Sequence, residues 1–166
     1  MRTAKAQESG SPVRTVELAV EGIRSPLGKG TLRRFCARVM EEVKASQWEL
    51  SVLLCNDARM RELNARYRGK DTATDVLSFP ADTRARARAA SLAGAAVRGD
   101  IAISMDTLRS NARRFGVSDN EELKRLLVHG ILHCAGMDHG TGKGREMFIL
   151  QERLLDALKK ERIIET

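Results

Sequence analysis

The chain's only histidines, His129, His133 and His139, lie in one run that reads H-G-I-L-H-C-A-G-M-D-H. On a helix, His129 and His133 stand one turn apart, ~5.4 Å along one face, where both imidazoles can reach one ion. Gly136 is placed to adopt the left-handed conformation that ends a helix, which turns the backbone and brings His139 in from a loop. Three neutral imidazoles suit Zn²⁺, and three protein ligands leave the fourth tetrahedral position to water, as in catalytic rather than structural zinc sites. Water in that position ionises near pH 7, at about the value that makes hydroxide available without a strong base. The spacing therefore predicts one zinc ion per chain on His129, His133 and His139. Cys134 adjoins His133 but points ~100° away around a helix, and it is expected to be a small buried hydrophobe rather than a fourth ligand. Asp138 fits three roles equally by its position: orienting a ligand imidazole, moving a proton, or forming the turn.

The spacing is that of the metzincin proteases, H-E-x-x-H-x-x-G-x-x-H, except that Gly130 stands where the catalytic glutamate belongs. Without that carboxylate, peptide hydrolysis lacks its usual base and proton donor. Phosphodiester hydrolysis fits better, because a metal and cations both engage phosphate. The 166 residues carry 29 Lys+Arg against 22 Asp+Glu, a formal charge of +7 and a pI near 9.8, which favours polyanionic partners. Part of that charge, such as Arg33, Arg34 and Arg38, has the spacing of a solvated helix face. With four Phe, one Tyr and one Trp, electrostatic contact is expected to outweigh base stacking.

The elements that must position these residues follow from hydropathic period. Val13 to Val20 alternates as a strand with Val16 and Leu18 on one face. Past Ser25, Pro26 and Gly30, the segment Thr31 to Val43 spaces Leu32, Phe35, Val39 and Val43 as an amphipathic helix. Trp48 to Asn56 predicts a buried strand, and Asn56-Asp57 caps a helix from Ala58 to about Tyr67. Arg68-Gly69-Lys70-Asp71 makes a polar loop before a short strand, Asp75 to Phe79, halted by Pro80. Ala81 to Arg98 lacks a period and predicts a flexible connection. Gly99 to Ser104 alternates as a strand, and helices follow at Asp106 to Phe115, Ser118 to Ala135 and Gly144 to Arg162. The second of these opens on an S-x-x-E capping signal. The last turns Met147, Leu150, Leu154, Leu155 and Leu158 toward the core.

These patterns predict a single α+β domain over residues 13–166, a roughly four-stranded sheet covered by about five helices, with the zinc site at the end of a central helix. Residues 1–12 form a polar tail without the apolar stretch of a secretory signal. The longest apolar runs, such as Val52 to Cys55, are too short to span a bilayer. Cys36, Cys55 and Cys134 are widely spaced with no C-x-x-C pair, as expected of a reduced, cytoplasmic protein. The patterns carry no information on strand order.

Several linked motifs resemble the YbeY endoribonuclease family of bacterial rRNA maturation factors. They are His129-Gly130-Ile131-Leu132-His133 through Asp138-His139, Leu63-Asn64, Tyr67-Arg68-Gly69-Lys70-Asp71, Thr74-Asp75-Val76-Leu77-Ser78-Phe79-Pro80 and Gly99-Asp100-Ile101. Ala73 stands where the family pattern has proline, and the loop after Pro80 is richer in arginine. The resemblance implies a metal-dependent, single-strand-directed endoribonuclease of 16S rRNA maturation and ribosome quality control, with RNA and ribosome-assembly factors as partners. It also implies that His129, His133 and His139 hold the metal and that Arg68 lies beside the active cleft. Independently, phosphoryl transfer accumulates charge on non-bridging oxygens, which a planar guanidinium such as Arg68 engages through two hydrogen bonds. Lys70 is a further candidate phosphate contact, while Arg61 and Arg66 read as surface charge. The competing readings are an rRNA-binding assembly factor with a mainly structural zinc and, against Gly130, a zinc protease.

Overall fold

The computed structural model describes residues 13–81, 93–94, 96–138 and 144–164. The predicted tail, most of the connection after Pro80, and His139 lie outside the described residues. Within them run β1 (Arg14–Glu21), α1 (Lys29–Glu42), β2 (Gln47–Cys55), α2 (Asp57–Arg68), β3 (Val76–Pro80), β4 (Ala96–Ser104), α3 (Met105–Phe115), α4 (Asp119–Cys134) and α5 (Gly144–Ala157). The expected α+β architecture, a four-stranded sheet with five helices, is the one observed.

The sheet has the order β1-β2-β4-β3. β1, β2 and β4 are parallel, and β3 pairs antiparallel to β4 at one edge. Because side chains alternate across a strand, Val16, Leu50, Val52, Leu54, Ile101 and Ile103 share one face and join the main core with α1, α3, α4 and α5. The opposite face is covered by α2, whose Met60 and Leu63 pack with Cys55, Leu77, Phe79 and Ala102 in a second, smaller cluster. Among the described residues no helix is long and apolar enough to cross a membrane.

Several boundaries depart from expectation: Arg68 closes α2 instead of opening the polar loop, and Pro80 is the last residue of β3 instead of its stop. β4 begins at Ala96 rather than Gly99, because Ala96, Val97 and Arg98 continue the parallel ladder opposite Gln47, Trp48 and Glu49. The last helix ends at Ala157 rather than Arg162. Just past it the Leu158 carbonyl accepts from the Glu161 amide at 3.0 Å, and the Leu158 and Lys159 carbonyls accept from the buried Lys124 ammonium, at 3.1 and 3.0 Å. The capping signals hold: Asn56 accepts from the Arg59 amide, and Ser118 and Glu121 form a reciprocal capping box. Where the family pattern has proline, the loop around Ala73 is tied by other means. Asn64, itself buried, donates to the Thr72 carbonyl at 2.8 Å, and Arg61 grips Asp71 with two bonds of 2.7 Å.

α4 is buried on nearly every side, and Gly130 sets how near it comes to the sheet. A Cβ there would meet three side-chain carbons of the fully buried Ile101 at 2.8 to 3.1 Å. Gly130 is thus the point of closest helix–sheet approach, and a glutamate at this position has no space. Replacing Gly130 by Ala sets two effects against each other: a gain of about 1 kcal/mol in helix propensity and overpacking that costs about 1–3 kcal/mol. The packed contact is expected to win, so urea denaturation of Gly130→Ala should show a net loss of stability; a gain would show that Ile101 yields freely.

Candidate metal centre

Polar residues form one stripe along the otherwise buried α4: Glu122, Arg125, His129 and His133, at spacings of three, four and four. Such spacing keeps them on one face, and that face runs beside β3. Arg125 binds the buried Glu122 through two bonds of 2.8 and 2.6 Å and reaches Asp75, just before β3, at 3.5 Å. One turn on stands His129, next to the Gly130 contact with Ile101. Cys134 follows, its Sγ 4.0 Å from the Asp100 carbonyl. Since Ile101 pairs with Ser78 and Asp100 with Phe79, α4 and β3 run side by side in the same direction, and His129 sits level with Ser78.

Arg68 reaches the same level from the other side of the sheet. In an antiparallel ladder alternate residues bond to the neighbouring strand. The bonds from the Ser104 amide to the Asp75 carbonyl and from the Ala81 amide to the Arg98 carbonyl fix the odd-numbered residues as the bonded set. The Ser78 carbonyl therefore faces the free edge, where it accepts from Arg68 Nη2 at 3.1 Å. The Arg68 guanidinium also lies 5.9 Å from the Phe79 ring centre. The sheet edge thus separates Arg68, which ends α2, from the histidines of α4. Lys70 is exposed in the loop just beyond. Arg61 is taken up by its ion pair with Asp71, whose carboxyl it holds below the usual carboxylate range. That tether is fully formed above the ordinary carboxylate pKa and is lost as pH falls through the lowered one.

The two imidazoles are half-buried and converge. His129 Nδ1 lies 3.0 Å from Gln151 Oε1, and His133 Nδ1 lies 2.9 Å from the Met137 carbonyl. Both oxygens accept, so each Nδ1 donates, and in the neutral ring each Nε2 then presents a lone pair. Those two Nε2 atoms are 3.2 Å apart. Facing lone pairs repel, and a cation between them turns the repulsion into two bonds. Nitrogens each ~2.0–2.1 Å from one tetrahedral zinc lie about 3.3 Å apart, so the donor pair fits the ion. Among the described residues no third ligand-type side chain completes a cluster, His139 lying outside them.

The helix end is built for this. Gly136 has φ 85, the Met137 amide bonds to the Leu132 carbonyl, and the Gly136 amide bonds to the His133 carbonyl. This pair of bonds is a Schellman motif, and it delivers the Met137 carbonyl to His133. Cys134 is buried, and desolvation pushes its thiol up to about 12, as expected of a packed residue rather than a ligand. Asp138 is exposed. The residue that sequence reasoning missed is Gln151. Its signal is an amide within the apolar stripe Met147, Leu154 and Leu158 on α5, where a buried polar group needs a partner.

Comparison with known proteins places the chain in a family. The family model described as Endoribonuclease YbeY matches residues 24–159. An Endoribonuclease YbeY from Treponema pallidum is 44% identical over 146 residues, covering 87% of this chain and 90% of that protein. One from Aquifex aeolicus is 40% identical over 118 residues, covering 71% and 74%. The chain belongs to the YbeY endoribonuclease family. The solution structure of TM1509 from Thermotoga maritima has a similar fold, with a TM-score of 0.58 and 27% identity over 86% of this chain and 90% of that one. The motifs shared with the YbeY family therefore fall on α2, β3, β4 and α4, the elements that meet at the sheet edge.

Two expectations follow. Gln151→Leu preserves the apolar packing of α5 but leaves His129 Nδ1 without its acceptor. Zinc affinity, read by competition with a chromophoric chelator, should weaken about 10–100-fold; unchanged affinity would show that Gln151 orients nothing. Burial holds the thiols of Cys36 and Cys134 near 12 and that of Cys55 near 11, so none should react with a thiol reagent at pH 8 until the protein is unfolded.

Proposed function

We propose that this chain is a zinc-dependent, single-strand-directed endoribonuclease acting in 16S rRNA maturation and ribosome quality control, with His129, His133 and His139 as the metal ligands. The observation that carries the metal assignment is the pair of Nε2 atoms facing each other at 3.2 Å, each ring fixed by an acceptor behind it. Family membership and the net positive charge support RNA as the substrate. When bound, zinc supplies Lewis acidity that lowers the pKa of water to about 7 and polarises a phosphate oxygen.

The side chains divide the remaining work. His129 and His133 bind through Nε2, and Gln151 and the Met137 carbonyl orient both rings by accepting from Nδ1. Arg68 spends one of its guanidinium donors on the Ser78 carbonyl. The others can meet the non-bridging oxygens of a phosphate at the sheet edge, where charge accumulates during P–O cleavage. Lys70 adds a positive charge on the approach. Proteolysis is disfavoured by packing as well as by chemistry, because a glutamate at position 130 would collide with Ile101.

Metal analysis of the purified protein is expected to find one zinc per chain, removed by chelation and restored on readdition. His133→Ala should lose both zinc and cleavage of a single-stranded RNA. Arg68→Ala should keep zinc, fold and most RNA affinity while cleavage falls about 10²-fold or more. Cleavage that survives both substitutions would refute the assignment, and RNA binding without metal-dependent cleavage would mark an assembly factor with a structural zinc. A 2′,3′-cyclic phosphate at the product end would identify the RNA 2′-OH as the attacking group.

A further inference from the structure

Among the described residues, the sheet face turned away from the histidines is only partly covered. Beside α2 a groove of about 610 Å³ opens over β1, β2 and β4, bounded by Tyr67 and Phe79 at one end and by Asp100, Ser51 and Glu17 along its length. That volume lies within the range of small-molecule and nucleotide pockets, roughly 300–1,000 Å³. Its two aromatic rings are 5.1 Å apart and inclined at 63°, so they form a corner rather than a stack. Tyr67, the chain's only tyrosine, is 54% exposed. A tyrosine in a purely structural role would be expected to bury more of its ring.

Charge is sorted around this corner. The Arg66 guanidinium lies 5.3 Å from the centre of the Tyr67 ring, and that of Arg68 lies 5.9 Å from Phe79. Both cations sit on the α2 side of the groove. Asp100, opposite Phe79 in the β3–β4 register, places a carboxylate along the strands, while Glu17, on β1, is ion-paired with Lys29. A phosphate is therefore drawn to the rim and repelled from the floor. A flat ring with N–H donors on its edge suits the interior, where it stacks on an aromatic face and donates to a carboxylate. A nucleotide has that polarity, base inward and phosphate outward. Arg68 joins this groove to the sheet edge, so a strand whose phosphate lies at the edge can continue into the groove.

We propose that this groove is a nucleotide subsite, in which one base of the RNA strand lies against Tyr67 and Phe79 with its donor edge on Asp100, and its phosphate lies at the rim with Arg66 and Arg68. The subsite rests on the RNA reading above and deepens it: Tyr67 holds a base, and Asp100 favours bases bearing an exocyclic amino donor over uracil, whose single imino N–H lies between two carbonyls.

The test is equilibrium binding of the full chain to short single-stranded RNAs, in chelator to prevent turnover, measured by fluorescence anisotropy. One RNA carries all its bases, and a set of variants each lacks one base. Wild-type protein should show one position at which removing the base weakens binding about tenfold or more. Tyr67→Ala should bind the complete RNA about tenfold more weakly and become indifferent to removal at that position, whereas Tyr67→Phe should bind as wild type. Asp100→Asn provides an independent arm, since it should reduce the preference for adenine, cytosine or guanine over uracil at that position without changing the fold. If wild type binds RNA and both Tyr67→Ala and Asp100→Asn match it on every RNA, the subsite is wrong and the RNA function stands; a groove reserved for a protein partner would give this result. If wild type binds no single-stranded RNA, the subsite and the RNA reading fall together.

Discussion

Helix α4 lies against the sheet at a distance set by one missing side chain. Gly130 meets Ile101 with no room for a Cβ, and this contact fixes the height and register of everything else on that helix. It holds Arg125 at Asp75, His129 level with Ser78, and Cys134 at the Asp100 carbonyl. The polar stripe of α4 runs toward the sheet edge, while the buried Lys124, on another face, is satisfied by the Leu158 and Lys159 carbonyls. On its other side, α4 meets α5 where His129 Nδ1 lies 3.0 Å from Gln151 Oε1. The Gly130–Ile101 contact explains why a protease-like histidine spacing coexists with a glycine between the histidines.

The rest of the structure serves that edge from two sides. The main core clamps α4 from above through α1, α3 and α5, and the smaller cluster under α2 fixes the helix that ends at Arg68. β3 is short and antiparallel, so it terminates the sheet and leaves alternate carbonyls unpaired by a further strand. An edge strand is usually a liability. Here Arg68 takes one of those carbonyls, and Asp75 at the strand's entrance engages Arg125. The loop between Arg68 and β3 is held by Asn64 and by the Arg61–Asp71 pair, which places Lys70 without the proline of the family pattern.

Much of this was legible in the chain. The helix terminator Gly136, the capping box at Ser118, the cap at Asn56 and the two-fold and 3.6-fold periods are local, since each depends on neighbours within a turn or a strand. The histidine pair is local for the same reason, as four residues on a helix span one turn wherever the helix sits. The errors at β4 and α5 have a common cause. Ala96 to Arg98 is strand because β2 lies beside it, and the turn just past Ala157 is held by Lys124, distant in sequence, through the Leu158 and Lys159 carbonyls.

The sequence by itself determined the elements, the histidine spacing, the absence of a glutamate between His129 and His133, and the family through its linked motifs. Tertiary structure decided the strand order, the level at which Arg68 and His129 meet across β3, the role of Gln151 behind the His129 ring, and the open groove beside Tyr67. The physical reason is range. Hydrogen bonds and side-chain periods within one element are set by residues a few positions apart, whereas the approach of α2, α4 and α5 to one sheet edge depends on the fit of cores built from the whole chain.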